Sequence, residues 1–195
     1  KFELGYTSGV EYINKTEGTN VKAKVAYAGS SPDAFNDPAK GKEIALAQYN
    51  AGADIIYHAA GGTGGGLFNA AQKENHYAIG VDSDQDYIAP GYILTTMQKR
   101  VDNAVYDVVE SLKNDNFTAG VKEYGLSKEG IKVSLNGLGP MTKAALESGD
   151  ISEEQAEKIK KMKQMIPSDI KSRIKEIRDK ITAGEIDVPN YLEQQ

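Results

Sequence analysis

The sequence predicts an α/β fold in which a parallel sheet is flanked by helices. Two observations predict it. Short apolar strand candidates alternate with helical segments along the first half of the chain, which is the pattern of parallel sheets covered by crossover helices. The loops with unusual chemistry all follow the C-terminal ends of strand candidates, the edge at which open α/β sheets bind ligands.

The elements follow in order. Phe2, Tyr6 and Val10 recur at four-residue spacing, followed by Ile13, and predict a helix over residues 2–14. Val21 to Ala28 reads as a strand, with Val21, Ala23, Val25 and Tyr27 on one face. Asp37-Pro38 opens a helix to about Asn50, with Asp as N-cap and Pro where its missing N–H is harmless. Gly52 stands where a left-handed residue is wanted after it. Asp54 to Ala59 is a short strand, Gly61 to Gly66 a glycine-rich turn, and a helix follows to about Glu74. Strands are expected at Tyr77 to Val81, ending at Asp82, and at Tyr92 to Met97. A helix spans Lys99 to Lys113, with Val101, Ala104, Val105, Val108 and Leu112 on one stripe. Lys122 to Tyr124 and Ile131 to Leu135 read as a two-stranded piece around Ser127-Lys128-Glu129-Gly130. Beyond Thr142 the chain turns Lys/Glu-rich and helical, with a capping box at Ser152–Gln155. Ala156, Ile159, Met162 and Ile166 form one apolar face there, and Ile170, Ile174, Ile177 and Ile181 another beyond Pro167.

Composition limits the function. The net charge of -5 carries no basic excess, which argues against nucleic acid as a partner. No apolar run approaches the roughly 20 residues that span a bilayer. Without cysteine there is no disulfide framework and no cysteine-ligated metal. The chain opens in mid-pattern at Lys1-Phe2-Glu3-Leu4, so further sequence is expected upstream.

Several motifs carry possible chemistry. The run Gly61-Gly62-Thr63-Gly64-Gly65-Gly66 follows a strand, so its N–H groups can approach a ligand; a plain structural turn explains it equally well. It lacks the P-loop Lys, because Leu67 and Phe68 follow, and it misses the dinucleotide spacing, because the third glycine would fall on Leu67. Asp82-Ser83-Asp84-Gln85-Asp86 resembles a calcium loop only in part, since Tyr87 and Ile93 occupy the positions that need Gly and Glu. Asp82, at the sheet edge, is suited to accept hydrogen bonds from vicinal sugar hydroxyls, whereas for Asp84 and Asp86 a solvated loop acid or helix cap explains as much as a functional role does. Phe35 can stack on a flat ring or pack locally, and Lys99 can donate to a ligand hydroxyl or face solvent. His58 and His76 form no metal pair or catalytic triad, and His58 reads as a core histidine.

Together these stretches say more than each alone. Phe35-Asn36-Asp37-Pro38-Ala39-Lys40-Gly41-Lys42-Glu43, Gly52-Ala53-Asp54, Ala59-Ala60-Gly61-Gly62-Thr63-Gly64, Ile79-Gly80-Val81-Asp82-Ser83-Asp84-Gln85 and Lys99-Arg100-Val101-Asp102 closely resemble the basic membrane protein family, which includes PnrA-type purine nucleoside-binding lipoproteins. The resemblance is dense from residue 2 to 137 and returns at Gly184-Glu185-Ile186-Asp187-Val188-Pro189. It implies the C-terminal lobe of a two-lobed, type I periplasmic-binding-protein-like fold with a helical C-terminal extension. Residues 1–98 would form the lobe without its first strand, 99–140 a crossover helix and hairpin, and 141–195 the terminal helices. It further implies a non-enzymatic substrate-binding component of an ABC-type nucleoside uptake system, lipid-anchored outside the cytoplasmic membrane and using no cofactor or metal. Phe35 would stack on the nucleobase, Asp82 and Lys99 would contact the ribose hydroxyls, and Gly61 and Gly62 would give backbone contacts or clearance. The implied partners are a purine nucleoside, the transporter's membrane subunits, and an N-terminal lobe or swapped copy that completes the cleft. A sugar or autoinducer receptor and a regulatory protein of the same fold are the alternatives.

Overall fold

The computed structural model describes residues 1–190; the last five residues of the predicted 141–195 segment lie outside the described residues. Seven α-helices and four strands are described: α1 (Phe2–Glu17), α2 (Pro38–Asn50), β1 (Ile55–Tyr57), α3 (Gly64–Glu74), β2 (Tyr77–Asp82), β3 (Ile93–Lys99), α4 (Val101–Lys113), β4 (Ile131–Val133), α5 (Pro140–Ser148), α6 (Glu153–Met165) and α7 (Ser168–Thr182). The strands form one sheet in the order β1-β2-β3-β4. β1, β2 and β3 run parallel, and β4 is antiparallel to β3. The α/β architecture and its parallel core are as the alternating pattern predicts.

The helix signals operate as read. The Asp37 carboxylate accepts from the Lys40 N–H, capping α2, and Pro38 fills its first position. Ser152 and Gln155 close a reciprocal capping box on α6. α1 continues past the predicted end to Glu17, where Gly18 takes the left-handed conformation that stops it.

The core lies in two parts. Ala45, Tyr49, Leu67, Phe68, Ala70, Ala71, Ala78 and Ile93 are buried between α2, α3 and the sheet. Ala145, Ile151, Ala156 and Ile159 are buried around α5 and α6. The glycine run serves the first part. Gly61–Thr63 form a 3-10 turn, and Gly64, Gly65 and Gly66 are already the first turn of α3. A Cβ at Gly66 would overlap the Pro38 carbonyl of α2, and one at Gly64 would overlap the His58 ring. Gly66 therefore lets α3 pack closely on α2, and Gly64 makes room for the His58 ring, whereas Gly65 faces open space.

Two expected strands are absent. Val21 to Ala28 is irregular, with Val21, Val25 and Tyr27 exposed. Its alternation supplies an apolar face but not the neighbouring strand that must receive its N–H and C=O groups. Instead the Asn14 side chain holds both the N–H and the carbonyl of Val21. The expected hairpin is likewise replaced. Lys122 to Tyr124 is irregular, Leu126–Lys128 form a 3-10 turn, and β4 pairs with β3 through Met97↔Val133, Gln98↔Lys132 and Lys99↔Ile131. A free edge of a formed sheet offers a longer ladder than a local turn does. The apolar stripe of α4 has the predicted phase, yet Val101, Val105 and Leu112 on it remain exposed.

Candidate functional site

Gly61, Gly62, Asp82 and Lys99 lie at or just beyond the C-terminal ends of the three parallel strands, whereas Phe35 follows the irregular stretch where a strand was expected. β1 ends at Tyr57 and leads through His58 to Gly61; β2 ends at Asp82; β3 ends at Lys99. Asp82 adopts a left-handed backbone, φ 70°, unusual for a residue with a side chain. There the chain turns sharply, with the Ser83 N–H donating to the Val81 carbonyl at 2.9 Å. The Asp82 Oδ1 meets the Lys99 Nζ at 2.6 Å, and both side chains are about half exposed, at 51% and 46%. The sheet edge thus offers one carboxylate and one ammonium side by side, accessible to a ligand.

Phe35 ends the 3-10 turn Pro32–Phe35 and is 58% exposed. It lies against the glycine turn. A Cβ on Gly61, whose φ is +53°, would be 3.2 Å from the Phe35 carbonyl and 3.5 Å from its ring, and one on Gly62 would be 3.3 Å from the same carbonyl. Gly61 is therefore needed for both its left-handed backbone and its clearance. Thr63 fastens the two loops together: its buried hydroxyl donates to the Ala34 carbonyl at 2.7 Å and accepts from the Asp37 N–H at 2.8 Å. The structure thus brings Phe35, Gly61 and Gly62 into one group and Asp82 and Lys99 into another.

His58 and Gln85 connect the loops after β1 and β2. The Gln85 Oε1 accepts from the Val81 N–H at 2.8 Å and lies 3.3 Å from the His58 Nε2. With that oxygen fixed as an acceptor, Nε2 carries a proton and donates it. The His58 Nδ1 is buried and has no hydrogen-bond partner among the described residues, and the ring packs edge-on to Phe68 at 5.2 Å. Burial holds the His58 pKa below its ordinary value, outweighing the opposing pull of Gln85 and Asp82. The core reading of His58 is correct as to burial, but only one ring nitrogen is paired.

The other two aspartates have structural roles. The Asp84 carboxylate is buried and accepts from the Thr142 N–H at 2.9 Å, capping α5 from a distant loop. Asp86 pairs with Lys163 of α6 at 2.8 Å, with the two side chains 1% and 2% exposed. Thr96 donates to Asp86, while Lys163 also donates to the Leu94 carbonyl and the Ser134 hydroxyl. Burial pushes the Asp86 pKa up and the Lys163 pKa down, and each partner opposes the shift of the other. Solvated loop acids are excluded for both.

Three residues at the sheet edge escaped the sequence reading. Tyr57 ends β1, and Tyr6 of α1 stacks on it with centroids 5.5 Å apart. Burial, then the nearby Asp82, pushes the Tyr57 phenol up to about 12. The Phe2 ring lies 4.9 Å from the Lys99 Nζ. Their only advance signal was the four-residue aromatic spacing of α1, which says nothing about what it covers. Among the described residues no cluster of His, Cys, Asp or Glu is arranged to hold a metal, and no helix is long and apolar enough to cross a membrane.

A glycine turn and a half-exposed charge pair at the strand ends, with an exposed aromatic beside the turn, mark the edge at which open α/β proteins bind ligands. A family model described as ABC transporter substrate-binding protein PnrA-like matches residues 1–172, and the chain belongs to that family. It is a family of substrate-binding proteins rather than enzymes. The chain is 32% identical over 154 residues to the ABC transporter nucleoside-binding protein BmpA of Lactococcus lactis, covering 70% of this chain and 42% of that protein. It is 30% identical to an uncharacterized lipoprotein of Pyrococcus abyssi, covering 100% of this chain and 46% of the relative. Among solved structures, an ABC transporter solute-binding protein from Aeropyrum pernix superposes with a TM-score of 0.79 at 29% identity, over 97% of this chain and 54% of the other. The chain spans about half the length of the curated relatives it matches.

Proposed function

We propose that this chain supplies one face of a purine nucleoside-binding site in an extracytoplasmic substrate-binding protein of an ABC-type uptake system. Phe35 stacks on the base, Asp82 and Lys99 take the two ribose hydroxyls, and Gly61 and Gly62 give the base clearance and backbone donors. The observation that carries this is the Asp82–Lys99 pair, 2.6 Å apart and half exposed at the ends of adjacent parallel strands. A vicinal diol both donates and accepts, so it satisfies a carboxylate and an ammonium together and leaves neither unpaired. The exposed Phe35 ring adds the apolar platform that a flat heterocycle needs. The relative from Lactococcus lactis, named a nucleoside-binding protein, supports the ligand class. The roughly twofold length of the relatives supports a second lobe that closes the opposite side, and the lipoprotein relative supports a lipid anchor outside the membrane.

Calorimetry on the full-length protein tests the reading. Phe35→Ala is expected to weaken nucleoside binding by about 5- to 150-fold, the equivalent of losing a base–aromatic stack of about 1–3 kcal/mol. Asp82→Asn should weaken ribonucleosides more than their 2′,3′-dideoxy analogues. Unchanged nucleoside affinity in Phe35→Ala would sink the assignment.

A further inference from the structure

From the contact between α1 and the end of β3, we infer that Phe2 is a positioning residue that holds the Lys99 ammonium in place for the sugar of the ligand. The inference rests on the nucleoside reading of the site. A lysine at a strand end carries four rotatable bonds, and ordering it for a ligand costs entropy. Lys99 is ordered from two sides. Asp82 holds it at 2.6 Å, and the Phe2 ring lies 4.9 Å from its Nζ. The electron-rich ring face attracts the cation without consuming a lone-pair acceptor. An ammonium has three N–H groups. With one toward the ring and one toward Asp82, the third is free for a ligand hydroxyl.

Phe2 is itself held. It stands one helical turn before Tyr6, on the same side of α1, and Tyr6 stacks on Tyr57 with an interplanar angle of 17°. Tyr57 ends β1, the strand beside β2, whose last residue is Asp82. The Tyr6–Tyr57 stack therefore docks α1 on the strand ends, and Phe2, one turn earlier, stands at Lys99. A diol entering the site loosens the Asp82–Lys99 pair as it takes hydrogen bonds from both. The ring contact remains through that exchange and keeps the ammonium at the sheet edge.

The test uses the full-length protein, labelled with 13C at the lysine ε-carbon, and the variants Phe2→Leu and Phe2→Trp. Without ligand, the Lys99 ε-methylene protons, assigned by their loss in Lys99→Arg, are expected to be shifted upfield by the ring; Phe2→Leu should abolish the shift and Phe2→Trp retain it. Calorimetry with adenosine and guanosine should show a loss of about two- to fivefold in Phe2→Leu, with little change for the 2′,3′-dideoxy analogues. Should Phe2→Leu fail to fold, a ring-fluorinated phenylalanine at position 2, equal in shape but stripped of its negative face, should show the same selective loss. Equal losses for ribonucleosides and dideoxynucleosides, or an upfield shift that survives in Phe2→Leu, would overturn the role of Phe2. Wild-type protein that shows the shift but binds no nucleoside would instead overturn the nucleoside reading, so the two failures are distinguishable.

Discussion

At the residue scale, His58 couples the site loops to the interior. Its Nε2–H is oriented by Gln85, burial favours its neutral form, and its ring is wedged between Gly64 and Phe68. A histidine whose folded pKa lies below its unfolded value adds nothing to the pH dependence while both states are neutral. As pH falls below about 6.5 the unfolded chain takes up a proton that the folded chain refuses, and stability is lost. Urea unfolding at pH 7.5 and 5.5 should show a larger acid loss for wild type than for His58→Gln, which cannot titrate; equal losses would remove His58 as the cause. Asp82, Lys99 and Phe35 differ from His58 in remaining exposed, which suits groups that meet a ligand.

At the element scale, α6 is tied to the sheet by a buried charge pair. Lys163 reaches from α6 to Asp86, to the Leu94 carbonyl of β3 and to Ser134 just beyond β4. One ammonium thereby fixes where two adjacent strands lie against the helix. Lys163→Met leaves Asp86 buried without its cation and is expected to cost roughly 3–5 kcal/mol. Adding Asp86→Asn should recover part of that loss, because the uncompensated charge is gone. Unfolding in urea at pH 7 measures both; a Lys163→Met loss below about 1 kcal/mol would show that the pair does not anchor α6. The helix ends behave differently from the strands. Asp37 and the Ser152–Gln155 box are local instructions carried within four residues, so they are legible in the sequence and recur in the structure. Val21 to Ala28 and Lys122 to Tyr124 have strand-like patterns but no partner strand, and pairing is never local.

At the scale of the whole molecule, the described chain is unevenly covered. α4 shows Val101, Val105, Tyr106, Val109 and Leu112 more than half exposed, whereas α3 and β2 are well packed. A continuous apolar helix face is a surface that seeks cover. The 195-residue chain alone is therefore expected to self-associate, with its sedimentation mass rising with concentration and Val105→Lys with Val109→Lys suppressing the rise. Wild type that stays monomeric at high concentration would contradict this. On the proposed reading, in which this chain carries one face of the site, it should bind nucleoside far more weakly than the full-length protein, and calorimetry of the two side by side checks it.

By itself the sequence determined the α/β class, the helix starts set by the Asp37 and Ser152 caps, and the end of a strand at Asp82. Each of these depends on neighbours a few positions away, through hydrogen-bond geometry and side-chain periodicity. Only the tertiary structure decided that Gly64 and Gly66 serve packing, that Asp84 and Asp86 serve α5 and α6, that β4 joins β3, and that Phe2 and Tyr57 belong to the sheet edge. Most of those outcomes depend on groups brought together from 28 to 97 positions apart, and no periodicity or local propensity encodes which distant group will be the partner.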